Sequence, residues 1–366
     1  MKLECSRKDL VDAIALVAPA ASSRSPQPLF QTIRLEAAEN SLELMACDGE
    51  MWAERAILAA VEEPGAVCVQ AKVLQELITL LPDGPVTLEK TSGAVFVRSG
   101  ASEWRLMALN ADDFLTIPTI NASSRFTLKM GEFRDAVDGV LYAVADDGGR
   151  AVLTGVQFNY DGQLLTLVAT DTHRLAVNRI EKPGIGSNLT VVMSEKSLKT
   201  IKNLPVGDEE EITIEFDDTR LSVDTGTARV VSQLLSGAYP NWERVVPNEF
   251  TRTWKLDRAE LMENLKRTMI LARDAANRVR FGGNGMQVII SARSDEKGEA
   301  KEEIPAIMEN GDIEIAFNGR YLLEALNAMR SDSIVAQLTE ASRPAIIRPN
   351  DESTERFCVI MPMTLN

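Results

Sequence analysis

One histidine stands among 366 residues, and its neighbours decide whether it does chemistry. His173 lies in the run Ala169-Thr170-Asp171-Thr172-His173-Arg174-Leu175, two positions after Asp171, so on a strand the two side chains would share a face. An imidazole beside a carboxylate is the beginning of a general-base arrangement, and a hydrolase or other small-molecule enzyme built on Asp171 and His173 is one reading. The pair lacks a nucleophile: no serine or cysteine is evident beside it, and a base has to reach the group it activates. The aspartate also recurs without the histidine. Leu42-Glu43-Leu44-Met45-Ala46-Cys47-Asp48 aligns with Leu165-Thr166-Leu167-Val168-Ala169-Thr170-Asp171, as a turn-forming residue would recur. Cys5, Cys47, Cys68 and Cys358 are scattered, form no CxxC and lie in or beside apolar runs, which predicts buried free thiols in a reducing compartment. Neither common glycine-rich phosphate loop is present, and one histidine with four dispersed cysteines argues against a zinc site. No catalytic residue, metal or cofactor is expected.

Cations, by contrast, repeat. An apolar strand followed by a short amphipathic helix is written six times, at residues 3–5 and 10–14, 67–69 and 74–78, 126–128 and 133–137, 191–193 and 198–201, 254–256 and 261–265, and 313–315 and 322–326. The first buried helix positions, Leu10, Leu74, Phe133, Leu198, Leu261 and Leu322, are 59 to 65 residues apart. The strand ends Ala46, Ala169 and Ala292 are 123 apart and then 123 again, so pairs of units repeat as well. Two positions before the first buried residue, nearly opposite the core, stand Lys8, Lys72, Lys196 and Arg320. Lys266 and Arg273 fall close to that face in the fifth helix, and Arg134 and Lys199 lie on its flank. A cation in the first helical turn opposes the macrodipole, so local stability does not account for it. Yet Lys8/Asp12, Lys72/Glu76 and Arg320/Glu324 are i,i+4 pairs that any solvated helix carries. Spacing alone leaves both a functional basic face and ordinary solvated helices open.

The elements that must position these residues read as strand, helix, then two or three strands in each unit. That predicts an α+β protein of antiparallel sheets with helices on one side, in three domains of two units each. Linkers are expected at residues 118–124 and 247–251, and the charged, glycine-containing segment 294–303 reads as an exposed loop. Residues 13–21 resemble a signal peptide in composition, but Asp9, Asp12 and the helical spacing of Leu10, Ile14 and Val17 fit an amphipathic helix better. No apolar run is long enough to span a membrane, and a cytoplasmic location is expected. The net charge of −15 argues against tight non-specific binding of nucleic acid by phosphate neutralisation. The segment from Phe357 to Leu365 is apolar throughout; Phe357 to Ile360 reads as a last core strand. Met361-Pro362-Met363 runs past it as an adaptable surface for partner peptides.

Four motifs then carry a resemblance. Ala-Thr-Asp-Thr-His-Arg-Leu-Ala-Val at 169–177, Tyr-Pro-Asn-Trp-Glu-Arg-Val-Val-Pro at 239–247, Phe-Asn-Gly-Arg-Tyr-Leu-Leu-Glu-Ala-Leu-Asn-Ala-Met at 317–329 and the late Met-Pro-Met occur in order on three tandem domains. Together the chain resembles the bacterial DNA polymerase III beta subunits, the sliding clamps. The resemblance implies the DNA clamp fold, with domains at 1–121, 125–246 and 250–366. It implies two chains joined head to tail in a ring, with helices inside and sheets outside, around duplex DNA held without sequence preference. It implies a non-catalytic processivity factor whose partners are the clamp loader, the replicative polymerase and other proteins bearing clamp-binding peptides.

Carried over residue by residue, the resemblance implies a partner-peptide pocket at Leu153, Thr170, Thr172, His173, Arg174, Leu175, Pro240, Arg244, Val245, Val246, Val359, Met361, Pro362 and Met363. It implies a dimer contact of Trp104 and Leu106 against Ile270 and Leu271, and DNA-facing positions at Arg24, Lys72, Arg150 and Lys196. Lys72 and Lys196 already stand on the basic face given by spacing; Arg134, Lys199, Lys266 and Arg320 of the helices join the DNA-facing set. Two departures stand out: Thr172 replaces a common Gly at the pocket floor, and Thr364 replaces a usual Arg, with Asn366 an added residue. Asp146-Asp147 also makes the loop before Arg150 acidic. An anionic ring fits the composition, because a topological link needs little affinity and a weakly basic bore lets phosphates slide. A duplicated scaffold that binds peptides without encircling DNA is the remaining alternative, and reversing Lys72 and Lys196 separates the two.

Overall fold

The computed structural model describes residues 1–146, 148–351 and 355–365; Asp147 and Asn366 lie outside these. Six α-helices fall where the apolar periodicity predicts: α1 Arg7–Val17, α2 Ala71–Leu80, α3 Met130–Asp138, α4 Glu195–Lys202, α5 Arg258–Ala272 and α6 Gly319–Ala328. Leu10, Leu74, Phe133, Leu198, Leu261 and Leu322 are all at most 3% exposed. Each such burial stabilises by roughly 1.5–3 kcal/mol. Helix starts are fixed by short polar side chains that accept from otherwise orphaned amides: Ser6 from Asp9 N, Asp257 from Glu260 N, Asn318 from Arg320 N and Tyr321 N.

The chain forms two compact units. The first comprises Met1–Phe133 and Lys196–Leu234. Its twelve strands make one antiparallel sheet, in which Met51–Glu63 pairs with Ala228–Gln233 through Ala53 opposite Val230. α1 packs on α2 and on Met51–Glu63. The second unit comprises Arg134–Glu195 and Leu235–Asn366. It holds a nine-stranded sheet, in which Arg174–Glu181 pairs with Glu355–Ile360, and a four-stranded sheet. α5 packs on α6 and on two strands of the four-stranded sheet, Gln287–Ser294 and Gly298–Pro305. The middle repeat therefore contributes to both units. The physical reason is edge protection: a strand with bare amides and carbonyls pairs with the neighbouring repeat and loses its open side.

One expectation is corrected. Residues 294–303, read as a loop, contain only a short turn; Gly298–Pro305 is a strand with eight register pairs to Gln287–Ser294. Its side chains are mostly charged and only Ile304 is buried, so it carries no apolar alternation to reveal it. The four cysteines are buried and unbridged, as predicted. Burial pushes the Cys5 and Cys358 thiols up to about 12 and Cys47 to about 11, which keeps them inert.

Candidate partner groove and basic helix faces

Strand pairing assembles the predicted groove residues within the second unit. Arg174 opposes Ile360 and Leu175 opposes Val359. Met361 N then donates to His173 O at 3.0 Å, carrying the ladder one step beyond the strand. Beneath the surface Val168, Leu175, Val177, Ile346 and Val359 form a buried cluster, with Tyr239, Trp242, Val246, Phe250 and Phe357 packed against it. Val152, Leu153 and Val192 form a second cluster that shares Tyr239. The Tyr239 hydroxyl donates to Val168 O at 3.1 Å, which ties the 239–247 segment to the strand; burial raises its pKa. Beside this lies an open cavity of about 900 Å³ lined in part by Arg244, Val245, Val246, Met361, Arg343 and Pro344. Of the fourteen predicted residues this cavity takes in Arg244, Val245, Val246 and Met361. Leu153, Thr170, Arg174, Leu175 and Val359 are buried, while Thr172 and His173 are exposed. Pro240, Pro362 and Met363 are half-buried.

The turn at the head of this groove decides the question of catalysis. Asp171 Oδ1 accepts from His173 N and Arg174 N, both at 2.9 Å, and Oδ2 accepts from Arg174 Nε at 3.0 Å. Both carboxylate oxygens are thus engaged in shaping the turn and holding Arg174. The His173 ring instead stacks on Tyr321, with centroids 6.4 Å apart. The arrangement is architectural, and the Asp171–His173 enzyme reading finds no support in it. Among the described residues no group of three or more His, Cys, Asp or Glu side chains is arranged to hold a metal ion.

Arg174 is 4% exposed and lies at the centre of this architecture. Besides Asp171 it pairs with Glu324, and its guanidinium lies over the rings of Tyr321 (4.3 Å) and Tyr142 (5.5 Å). Burial alone would lower its pKa, but Glu324 and Asp171 outweigh that and hold it above the ordinary value. Tyr321 and Glu324 complete the surroundings of Arg174 and His173, and neither was among the expected groove residues. Both lie inside the 317–329 motif, and Glu324 stood only as an i,i+4 partner of Arg320. Its second oxygen does approach Arg320, at 3.7 Å. Thr172 adopts φ +76°, a left-handed conformation that costs a β-branched residue of order 1–2 kcal/mol. That is the physical reason glycine suits this position.

The cations expected to face DNA are mostly solvent-facing. In the first unit Arg24, Lys72 and Lys199 are exposed. Lys196 is half-buried and ion-paired with Asp48, so its charge is largely compensated. In the second unit Arg150, Lys266 and Arg320 are exposed and Arg134 is half-buried. Arg320 also approaches Asp146, at 3.8 Å.

Several strands are paired on one side only, and two of them lie in the first and last repeats. In the first unit Ser102–Leu109 pairs along Ala94–Ser99 but meets Gly65–Gln70 only through Ala108 and Leu109, so residues 102–107 pair on one side. In the second unit Gly298–Pro305 is a lateral strand bonded only to Gln287–Ser294. Trp104 is 52% exposed, whereas Leu106 is buried at 8%. Ile270 is 61% exposed, and Leu271 packs partly on its own core.

Three family models match in order along the chain. Those of the DNA polymerase III beta subunit cover residues 1–118 (N-terminal domain), 127–241 (central domain) and 243–364 (C-terminal domain). The chain belongs to the DNA polymerase III beta subunit family. It is 31% identical to the beta sliding clamp of Synechocystis sp., over 95% of this chain and 96% of that one. Among solved structures, the DNA polymerase III beta subunit of Thermotoga maritima superposes with a TM-score of 0.91 at 26% identity. The sliding clamp of Bacillus subtilis does so at 0.87 and 26%; both comparisons cover 100% of each chain. The fold is therefore the three-domain clamp fold, and the family's role is DNA sliding clamp in replication, a processivity factor rather than an enzyme. No helix among the described residues is long and apolar enough to cross a membrane.

Proposed function

We propose that two copies join head to tail into a ring around duplex DNA, which tethers the replicative polymerase and other partners. The observation that carries this reading is the pair of open strand edges, residues 102–107 and Gly298–Pro305, in the first and last domains. A heterologous contact between unlike surfaces closes into a ring when the rotation permits, and two copies of a three-domain chain make a six-domain circle. Unpaired edges favour strand addition, and Trp104 and Ile270 supply exposed apolar area beside them. Leu106 and Leu271 would then contribute from behind, as packing for the strand and helix that meet. The proposed domain limits are 1–121, 125–246 and 250–366.

A net charge of −15 with exposed cations on the helices suits a bore that neutralises phosphates weakly while the rest of the surface repels DNA. Arg24, Lys72, Arg134, Arg150, Lys199, Lys266 and Arg320 are the proposed DNA-facing set. Lys196 is its weakest member because Asp48 already holds it. The groove around Thr172, His173, Arg244 and Met361 is proposed to take short peptides with apolar anchors, carried by the clamp loader, the polymerase and other partners in the cytoplasm.

The dimer is tested by measuring mass in solution. The chain should sediment at twice its 40.1 kDa. Ile270→Glu should shift it to monomer without loss of folded signal, because the exposed side chain is not part of the core. A mass of 40.1 kDa for the unmodified chain at micromolar concentration would contradict the proposal.

A further inference from the structure

Residues 361–365, with Pro362 among them, leave the last strand at Ile360. The regular ladder stops at Ile360, with a single further bridge from Met363 to Ala316, and a segment outside a ladder frays unless tied down. This one is pinned at four backbone points. Met361 N donates to His173 O (3.0 Å) and Met363 N to Ala316 O (2.7 Å). Further along, Arg278 Nη1 donates to Thr364 O at 3.3 Å, and Arg280 Nη2 donates to Leu365 O.

The arginines come from the strand Arg278–Gly283, not from the groove. Register explains how they reach. Arg280 lies opposite Ala316, and opposed residues of an antiparallel pair point to the same face. Ala316 is also the residue whose carbonyl holds Met363. The small alanine leaves room above it for the longer side chain to pass to the 364–365 backbone. Arg278, two residues along, shares that face and takes the preceding carbonyl.

We propose that Arg278 and Arg280 are positioning residues for partner binding: they clip the backbone of residues 364–365 and so hold Met361 and Met363 in place for an incoming peptide. This rests on the groove reading above. The clip grips carbonyls, so it does not depend on which side chain stands at position 364. A segment ordered before binding saves the partner the entropy of ordering it, so loss of the clip should appear as weaker affinity, not as a changed fold.

Two measurements on the full-length chain test this. The first is amide hydrogen exchange. In the Arg278→Ala/Arg280→Ala variant, exchange at Met363 should speed up at least tenfold while Val279 and Phe281 stay protected; unchanged exchange at Met363 would overturn the clip. The second is titration with a labelled pentapeptide bearing two leucines and a phenylalanine. The double variant should bind about five- to tenfold more weakly, with lysines at both positions restoring part of the loss and Thr364→Ala binding normally. In a chain shortened to end at Met363, the arginine substitutions should have no further effect; an undiminished effect there would mean that they act through the sheet and would overturn the proposal. Failure of the unmodified chain to bind the peptide would overturn the groove reading and the positioning role with it, while leaving the exchange result as evidence on the clip itself.

Discussion

Two turns, 123 residues apart, are built alike and used differently. In the first, Gly49 N donates to Cys47 Sγ (3.1 Å), and Asp48 Oδ1 accepts from Glu50 N (2.9 Å) and Met51 N (2.8 Å). In the second, Thr172 N donates to Thr170 Oγ1 (3.1 Å), and Asp171 Oδ1 accepts from His173 N and Arg174 N (2.9 Å each). Bond for bond the scaffold is conserved between repeats. What differs is what it carries. Gly49 takes its positive φ without penalty, close to Phe30, whereas Thr172 takes it under strain. Met51 is an apolar core residue where the second turn has the buried, doubly paired Arg174. Asp48 spends its free oxygen on Lys196, and Asp171 on Arg174. The first turn closes a core with Trp52 and Phe114; the second holds Met361, which lines a cavity, through the bond from Met361 N to His173 O. The turn itself is thus structural: of its five aligned residues only the aspartate, Asp48 or Asp171, is shared, and the other four differ.

Substitutions at matched positions can break or sharpen that contrast. The largest effect should come from Arg174→Ala, which strands Asp171 and Glu324 and should cost about 3–5 kcal/mol in denaturant unfolding, with peptide binding lost. Met51→Ala, its counterpart, should cost about 2–5 kcal/mol by opening a cavity and leave peptide affinity unchanged. Next come the strained positions. Gly49→Thr should destabilise by about 1–2 kcal/mol, and Thr172→Gly should stabilise by about 0.5 kcal/mol once the flexibility glycine adds to the unfolded chain is set against the relief of strain. Lys196→Met should cost only ~0.5 kcal/mol, because the pair with Asp48 is partly exposed. It should also disturb DNA retention less than Lys72→Glu does, since Lys72 is the freer cation.

The smallest effect concerns Glu43, whose counterpart is Thr166. Burial raises the Glu43 pKa, as does Glu36 directly across the strands, against the pull of Arg34. The folded state then holds the proton more tightly than the unfolded one, so stability falls as pH rises from below the unfolded value through the raised one. Glu43→Gln should therefore gain about half a kcal/mol or less at pH 7, and the gain should vanish near pH 4. Thermal unfolding at both pH values checks this.

The helices were legible in the sequence because their apolar positions repeat at 3.6 residues, and all six first buried positions are buried. Asp48 and Asp171 were legible as turn residues because a local side-chain bond needs only neighbouring amides. Features set by distant partners were not. Nothing near Lys196 announces Asp48, 148 residues away, and Glu324 reads as a helix-surface charge until Arg174 is folded against it. Gly298–Pro305 hid because a charged edge strand lacks an apolar period, and Arg278 and Arg280 hid because they bind carbonyls, which no sequence motif records. The division of the middle repeat between two units was equally hidden, since it depends on which strands pair.

The central claim is that the chain stays on DNA by surrounding it. The most direct test loads the protein onto a nicked circular plasmid, isolates the complex and cuts the circle once. The protein should remain on the intact circle through gel filtration and be released within minutes of linearisation. Equal retention on the cut and uncut DNA would contradict the account.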